Sequence, residues 1–220
     1  NSEAISFPIK GNFDFDPSGG HLQGIQLFSH NGQKEIFLSG SSSKVAFMVR
    51  ARLVNEAKII TVDTLMMDPY RHAGGFQIFD HYLAIGIEDN YLRNSSKVMV
   101  YDLEKTPKPW LQPLHVLNRE GEFQRVTAGA VGLTKIKNHI LLAVANWDCR
   151  DIDFYACPWP DFQKGEDRFQ LIKSMNMEET QRTDWSDPQW HSYQNINLFN
   201  SKGEVYMVGL AKDTANNHLA

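Results

Sequence analysis

The chain has 220 residues, of which 42% are hydrophobic and 22% charged, with a formal net charge of −4. That is the balance of an ordinary globular protein, long enough for one sizeable core. The acidic balance leaves no basic footprint for nucleic acid, and the longest apolar run, Ile140 to Ala145, is strand-sized rather than the ~20 residues of a membrane span. Asn1-Ser2-Glu3-Ala4 lacks the basic start and apolar stretch of a signal peptide, which suits a soluble cytoplasmic chain or a mature extracytoplasmic one.

In chain order, Ile5-Ser6-Phe7-Pro8-Ile9 reads as a short strand, expected to pair with the last repeat. A motif then opens at His21-Leu22-Gln23-Gly24-Ile25-Gln26-Leu27-Phe28 and returns at His72-Ala73-Gly74-Gly75-Phe76-Gln77-Ile78-Phe79. Weaker copies start at Thr127 and Ser192, so the spacings are 51, 55 and 65 residues. Each copy leads into a polar turn, such as His30-Asn31-Gly32-Gln33 or Asn200-Ser201-Lys202-Gly203, whose residues accept positive φ at little cost and so suit hairpins.

A second apolar run follows each turn: Glu35–Leu38, Tyr82–Ile87, Ile140–Ala145 and Val205–Leu210. Their length and continuity fit strands buried on both faces. Third strands are expected at Ser42–Val49, Ser95–Tyr101 and Asp151–Tyr155, and fourth strands at Lys58–Asp63, Pro113–Leu117 and Phe169–Lys173. Cys157-Pro158-Trp159-Pro160-Asp161-Phe162 reads as an edge turn, and Cys149 and Cys157 as two unpaired thiols. No stretch has convincing helical periodicity, which makes the chain all-β.

Four short strands at a period of this size resemble the β-propeller superfamily, over residues of about 20 to 210. The Gly-His and terminal Trp-Asp of WD-type repeats are missing, as is the kelch double glycine with spaced aromatics. The units are 20–68, 69–120, 121–178 and 190–220. The fourth unit breaks off after its second strand, so about three and a half blades are visible. The resemblance then implies part of a larger ring, of about five to seven blades, since about four is the minimum for closure. The remaining blades would lie on the same or another chain, and an open strand edge would invite pairing with a partner.

Propeller geometry implies that the starts of first strands and the loops after second strands share one rim, at the mouth of a central channel. His21, His72 and His191 stand at such starts, and Glu88, Asp89, Asn146, Trp147, Asp148 and Asp213 after second strands. The loop from Glu178 to Trp190 hangs over the same rim. This set suits a recognition module that binds a small molecule, glycan or protein at the channel mouth. The alternative is a hydrolase of lactonase or glycosidase type, with His72 transferring a proton. The resemblance to propeller hydrolases makes Glu88 and Asn146 candidate ligands of a channel calcium. A purely structural role is the competing expectation for the motif. His21 and His72, with Gln26 and Gln77 five residues on, would lock neighbouring backbones, and the glycines would allow close packing.

Overall fold

The structure, a computed structural model, describes residues 8–12, 18–105, 108–185, 188–212 and 217–219. It is all-β. After β1 (Ile9–Lys10), a first meander runs through β2 (His21–His30), β3 (Gln33–Ser41), β4 (Val45–Leu53) and β5 (Ala57–Met67). A second comprises β6 (His72–Phe79), β7 (Tyr82–Glu88), β8 (Ser95–Asp102) and β9 (His115–Glu120). A third comprises β10 (Ala130–Ile136), β11 (His139–Ala145), β12 (Asp151–Pro158) and β13 (Gln170–Asn176). The fourth contains β14 (Tyr193–Ser201), β15 (Glu204–Lys212) and β16 (Asn217–Leu219). Within each meander, consecutive strands pair antiparallel. A single parallel pair, Ala130 with Gly75, joins the second and third meanders into one continuous sheet.

The turn chemistry explains the pairing. Asn31-Gly32 and Lys202-Gly203 both adopt positive φ at two successive residues, the backbone that matches the twist of a two-residue hairpin. Asp80 and Lys137 adopt positive φ at the equivalent turns of the second and third meanders.

The repeated motif has a specific structural meaning. β2 bulges between Leu22 and Ile25, β6 between Ala73 and Phe76, and β14 between Tyr193 and Asn195. In each case one extra residue enters the first strand near its start, which bends the strand and re-aims its side chains. Gly74 and Gly75 sit in the β6 bulge, where an added Cβ would run into the backbone of Gly129 and Gln194 respectively. Glycine is required there because only a bare backbone allows that approach.

Successive meanders pack face to face. Phe37, Met48, Phe76, Leu83, Ile85, Tyr101 and Trp110 fill the space between the first and second. Tyr82, Val98, Val100, Leu133, Ile140, Leu142 and Phe162 fill the next interface. Ala143, Ile152, Ile196 and Leu198 belong to the third. The second meander is covered on both sides, so β7 is buried from end to end and its sequence is a continuous apolar run rather than an alternating one. The first strands β2, β6, β10 and β14 adjoin one another, and β14 also touches β2.

Polar braces tie the second and third meanders together. Asp153 of β12 accepts hydrogen bonds from Arg119 of β9 at 2.9 Å, from Arg125 at 2.8 and 2.6 Å, and from Ser174 at 2.6 Å. His115 of β9 bonds the Phe162 carbonyl at 2.8 Å and Asp167 at 2.9 Å.

Three expectations are corrected. The N-terminal strand does not join the last repeat: Ile9 and Lys10 pair in parallel with Ala57 and Lys58 of β5, and Ile5 to Phe7 lie outside the described residues. The supposed edge turn is a short helix, α1 (Trp159–Lys164), ended by Gly165 at φ 74° and anchored by buried Phe162. A proline in its first turn suits a helix start, where no backbone N–H is needed. The fourth repeat continues beyond its second strand, because β16 pairs with β15 from Leu210–Leu219 to Lys212–Asn217. Cys149, just before β12, and Cys157, near its end, are free and buried. No helix among the described residues is long and apolar enough to cross a membrane.

Candidate functional site

A cavity of about 290 Å3 opens where the starts of the first strands meet the loops after the second strands. Its walls come from all four meanders: His21 and Gln23; His72, Glu88, Asn90 and Arg93; Gly129, Asn146, Trp147 and Asp148; Tyr193 and Gln194. Gln23 and Gln194 occupy the bulged stretches of β2 and β14, so the irregularity of the repeat delivers side chains to the cavity.

At its base, His72 Nδ1 lies 3.1 Å from Glu88 Oε1, with side chains 11% and 1% exposed. Neither atom makes an aligned hydrogen bond. The other carboxylate oxygen, Glu88 Oε2, accepts the Ala128 N–H at 2.9 Å, which fixes the group in place. On the cavity side, the Gln23 amide bridges His72 Nε2, at 3.0 Å, and His21 Nε2. The two imidazoles stand 5.4 Å apart. Burial, and then the neighbouring His72, hold His21 below the ordinary histidine value. A buried carboxylate beside an imidazole fixes the orientation of the ring.

The loop after β7 is tightly built. Asp89 Oδ1 accepts the N–H groups of Tyr91 and Leu92, both at 2.9 Å, and the Asp89 carbonyl accepts the Arg93 N–H at 2.9 Å. Arg93 adopts φ 54°, a left-handed conformation that costs a non-glycine residue energy and tends to occur at functional sites. Its guanidinium rests 4.7 Å from the Trp147 ring centre, and Arg150 lies 5.4 Å from the same ring. Asp148 and Cys149 follow Trp147 at φ 63° and 53°. Positive φ outside glycine therefore gathers at the hairpin turns and beside this cavity, with Gln124, whose N–H donates to the Arg93 carbonyl, in the second group.

The expected site residues divide. His21, His72, Glu88, Asn146, Trp147 and Asp148 line the cavity together. Asp89 is a loop brace, and Asp148 pairs with Arg150 at 3.3 Å. His191 lies outside the lining residues, its ring 6.0 Å from that of Tyr193, and Asp213 lies outside the described residues.

Glu88 and Asn146 do not fit a calcium shell. Asn146 Oδ1 accepts the Asp151 N–H at 2.9 Å while its amide donates to Asp151 at 2.8 Å. Calcium asks for six or more oxygens, whereas these two residues leave one carboxylate oxygen uncommitted. Among the described residues, no group of three His, Cys, Asp or Glu side chains is placed to hold a metal.

Gln23, Asn90, Arg93 and Gln194 were not expected from the sequence. In β2 the bulge glycine Gly24 signals its neighbour Gln23, whereas the bulge at Gln194 in β14 carries no glycine and gives no such signal. A larger, mainly apolar groove of about 660 Å3 opens between the third and fourth meanders, walled by Phe154, Trp185, Tyr206 and Met207, with Lys173 and Asp184 as its charged residues. Comparison with protein-family models and with curated proteins gives no match.

Proposed function

We propose that the chain is a β-propeller recognition module whose four repeats act as blades and bind a small polar ligand in the cavity at their common mouth. The fold reading is supported by four successive meanders whose first strands adjoin. The functional reading rests on one observation: polar side chains from all four repeats, the buried Glu88–His72 pair among them, converge on one cavity. A concave site with a few convergent polar groups is the usual form of a small-molecule site.

Calorimetry with a panel of polar metabolites tests this reading. A ligand that binds the native chain is expected to lose at least tenfold in affinity in both His72→Gln and Glu88→Gln. Binding unchanged in both variants would place recognition elsewhere.

Hydrolysis is a second reading, favoured by the Glu88–His72 pair. A carboxylate that orients an imidazole is the arrangement by which histidine takes a proton from an attacking water. Turnover of an ester and glycoside panel, abolished in His72→Ala, would support it; binding without turnover would leave recognition alone.

A further inference from the structure

We infer that the ligand of this cavity is a hydroxylated oxyanion of about monosaccharide size, bound through its carboxylate or phosphate to Arg93. The inference rests on the cavity being the ligand site and names what it takes.

Arg93 is the arginine of the cavity wall. Of the wall carboxylates, Glu88 lies 3.1 Å from His72 and Asp148 lies 3.3 Å from Arg150. Arg93 has no such partner: its side chain makes one hydrogen bond among the described residues, from Nε to the Asn90 carbonyl at 3.3 Å. Its two terminal nitrogens remain as donors, in the planar fork that matches a carboxylate or phosphate. The guanidinium is held rather than loose, because it lies on Trp147 and its backbone is pinned from both sides, by Asp89 and by Gln124. Little side-chain entropy remains to be lost on binding.

An unused acceptor decides the rest. Asn90 Oδ1 is buried, belongs to a cavity-lining residue and has no hydrogen bond among the described residues. An acceptor calls for a donor, and an anion with hydroxyl groups supplies both halves: oxygens for Arg93 and an O–H donor for Asn90. A bare anion would leave that acceptor unpaired, while a neutral polyol would leave Arg93 without a counter-charge. The cavity volume of about 290 Å3 admits one ring of sugar size.

The test titrates the full chain with D-glucuronate, D-glucose 6-phosphate and D-glucose, with binding read by the imidazole resonances of His21 and His72. At least one anionic sugar is expected to bind tenfold or more tighter than glucose, with the preference shrinking as salt rises. Arg93→Gln is expected to erase the preference and Arg93→Lys to keep part of it, the lysine variant also guarding against a change in the loop. Equal binding of glucose and both anions, or a preference intact in Arg93→Gln, would overturn the anion assignment while leaving the cavity as a ligand site. No response of either imidazole to any of the three sugars would overturn this inference, and the polar-metabolite panel would then decide the broader reading. Binding confined to glucuronate would identify a carboxylate, and binding confined to the phosphate would identify a phosphoryl group.

Discussion

Gln77 grips Leu198 on both its polar backbone groups: the side-chain oxygen accepts the Leu198 N–H at 2.7 Å and the side-chain nitrogen donates to its carbonyl at 2.8 Å. The same oxygen accepts the Leu133 N–H at 2.8 Å. One buried amide from the second repeat thus replaces a strand neighbour for the fourth and binds the third. Gln77→Leu would leave two buried N–H groups and a carbonyl unpaired. At ~1–3 kcal/mol for each unpaired group, partly relieved by relaxation, we expect a loss of about 2–4 kcal/mol in urea unfolding. A loss below about 1 kcal/mol would mean that the first strands do not meet at this residue.

Gly86 gives a steric test of the same packing. Its Cβ position is occupied by the Ala128 carbonyl oxygen, a backbone atom that cannot step aside cheaply. Gly86→Ala should cost at least about 2 kcal/mol, whereas Gly32→Ala, with open space around it but φ 73°, should cost only about 1 kcal/mol of backbone strain. Equal losses in the two variants would show that Gly86 is not pressed against the third repeat.

Asp153 joins Arg119 and Arg125 between the second and third repeats. Burial by itself would raise the Asp153 carboxyl, but hydrogen bonds from Arg125 and Ser174 and the charges of both arginines hold it below the ordinary value. Asp153→Asn leaves buried Arg119, 5% exposed at its side chain, without its counter-charge. The expected cost is about 3–5 kcal/mol, measured by thermal or denaturant unfolding, and a change below 1 kcal/mol would mean the network is solvated.

Acid should expose the His21–His72 arrangement. The folded value of His21 lies below the unfolded value of ~6.5, so on acidification the unfolded chain takes the proton first. Stability from this group is therefore complete above that pH and falls as pH drops through it toward the folded value. The melting temperature should decline less between pH 7.5 and 5.5 in His21→Gln than in the native chain. Parallel declines would mean the two imidazoles do not share a desolvated site.

Cys149 is fully buried, and burial pushes its thiol up to about 12; the Cys157 thiol is raised for the same leading reason. Since the thiolate is the reactive form, neither should react with a disulfide reagent within minutes in the native chain. Both should react at once in guanidinium, and rapid native reaction of either would contradict the packing around β12.

Much of the fold was legible because the repeat states its own strand order. The turns at Asn31-Gly32 and Lys202-Gly203 and the apolar runs such as Tyr82–Ile87 each imply one local geometry. α1 was hidden because six residues are too few to show helical period, and Pro158 and Pro160 beside Trp159 imitate a strand stop. The rim was legible in part, since position after a strand places Glu88 and Trp147 without saying what their side chains touch. Asp89 and Asn146 are indistinguishable from ligands in sequence, yet Asp89 Oδ1 and Asn146 Oδ1 both accept backbone N–H groups of their own loops. Gln26 and Gln77 illustrate the reverse. They lie in equivalent motif positions, but Gln26 donates to the Asn197 side chain at 3.0 Å while Gln77 takes backbone partners. Arg93 was missed because its role depends on a left-handed backbone and on Trp147, which is 54 residues away in the chain.

The most direct measurement is amide and side-chain chemical-shift mapping of the isotopically labelled chain during titration with a ligand found by calorimetry. Saturable changes should gather at His21, Gln23, His72, Arg93, Trp147 and Gln194 together, because one cavity unites these separated segments. Changes confined to a single segment, or centred on the groove beside Trp185, would contradict a binding site shared by the four repeats.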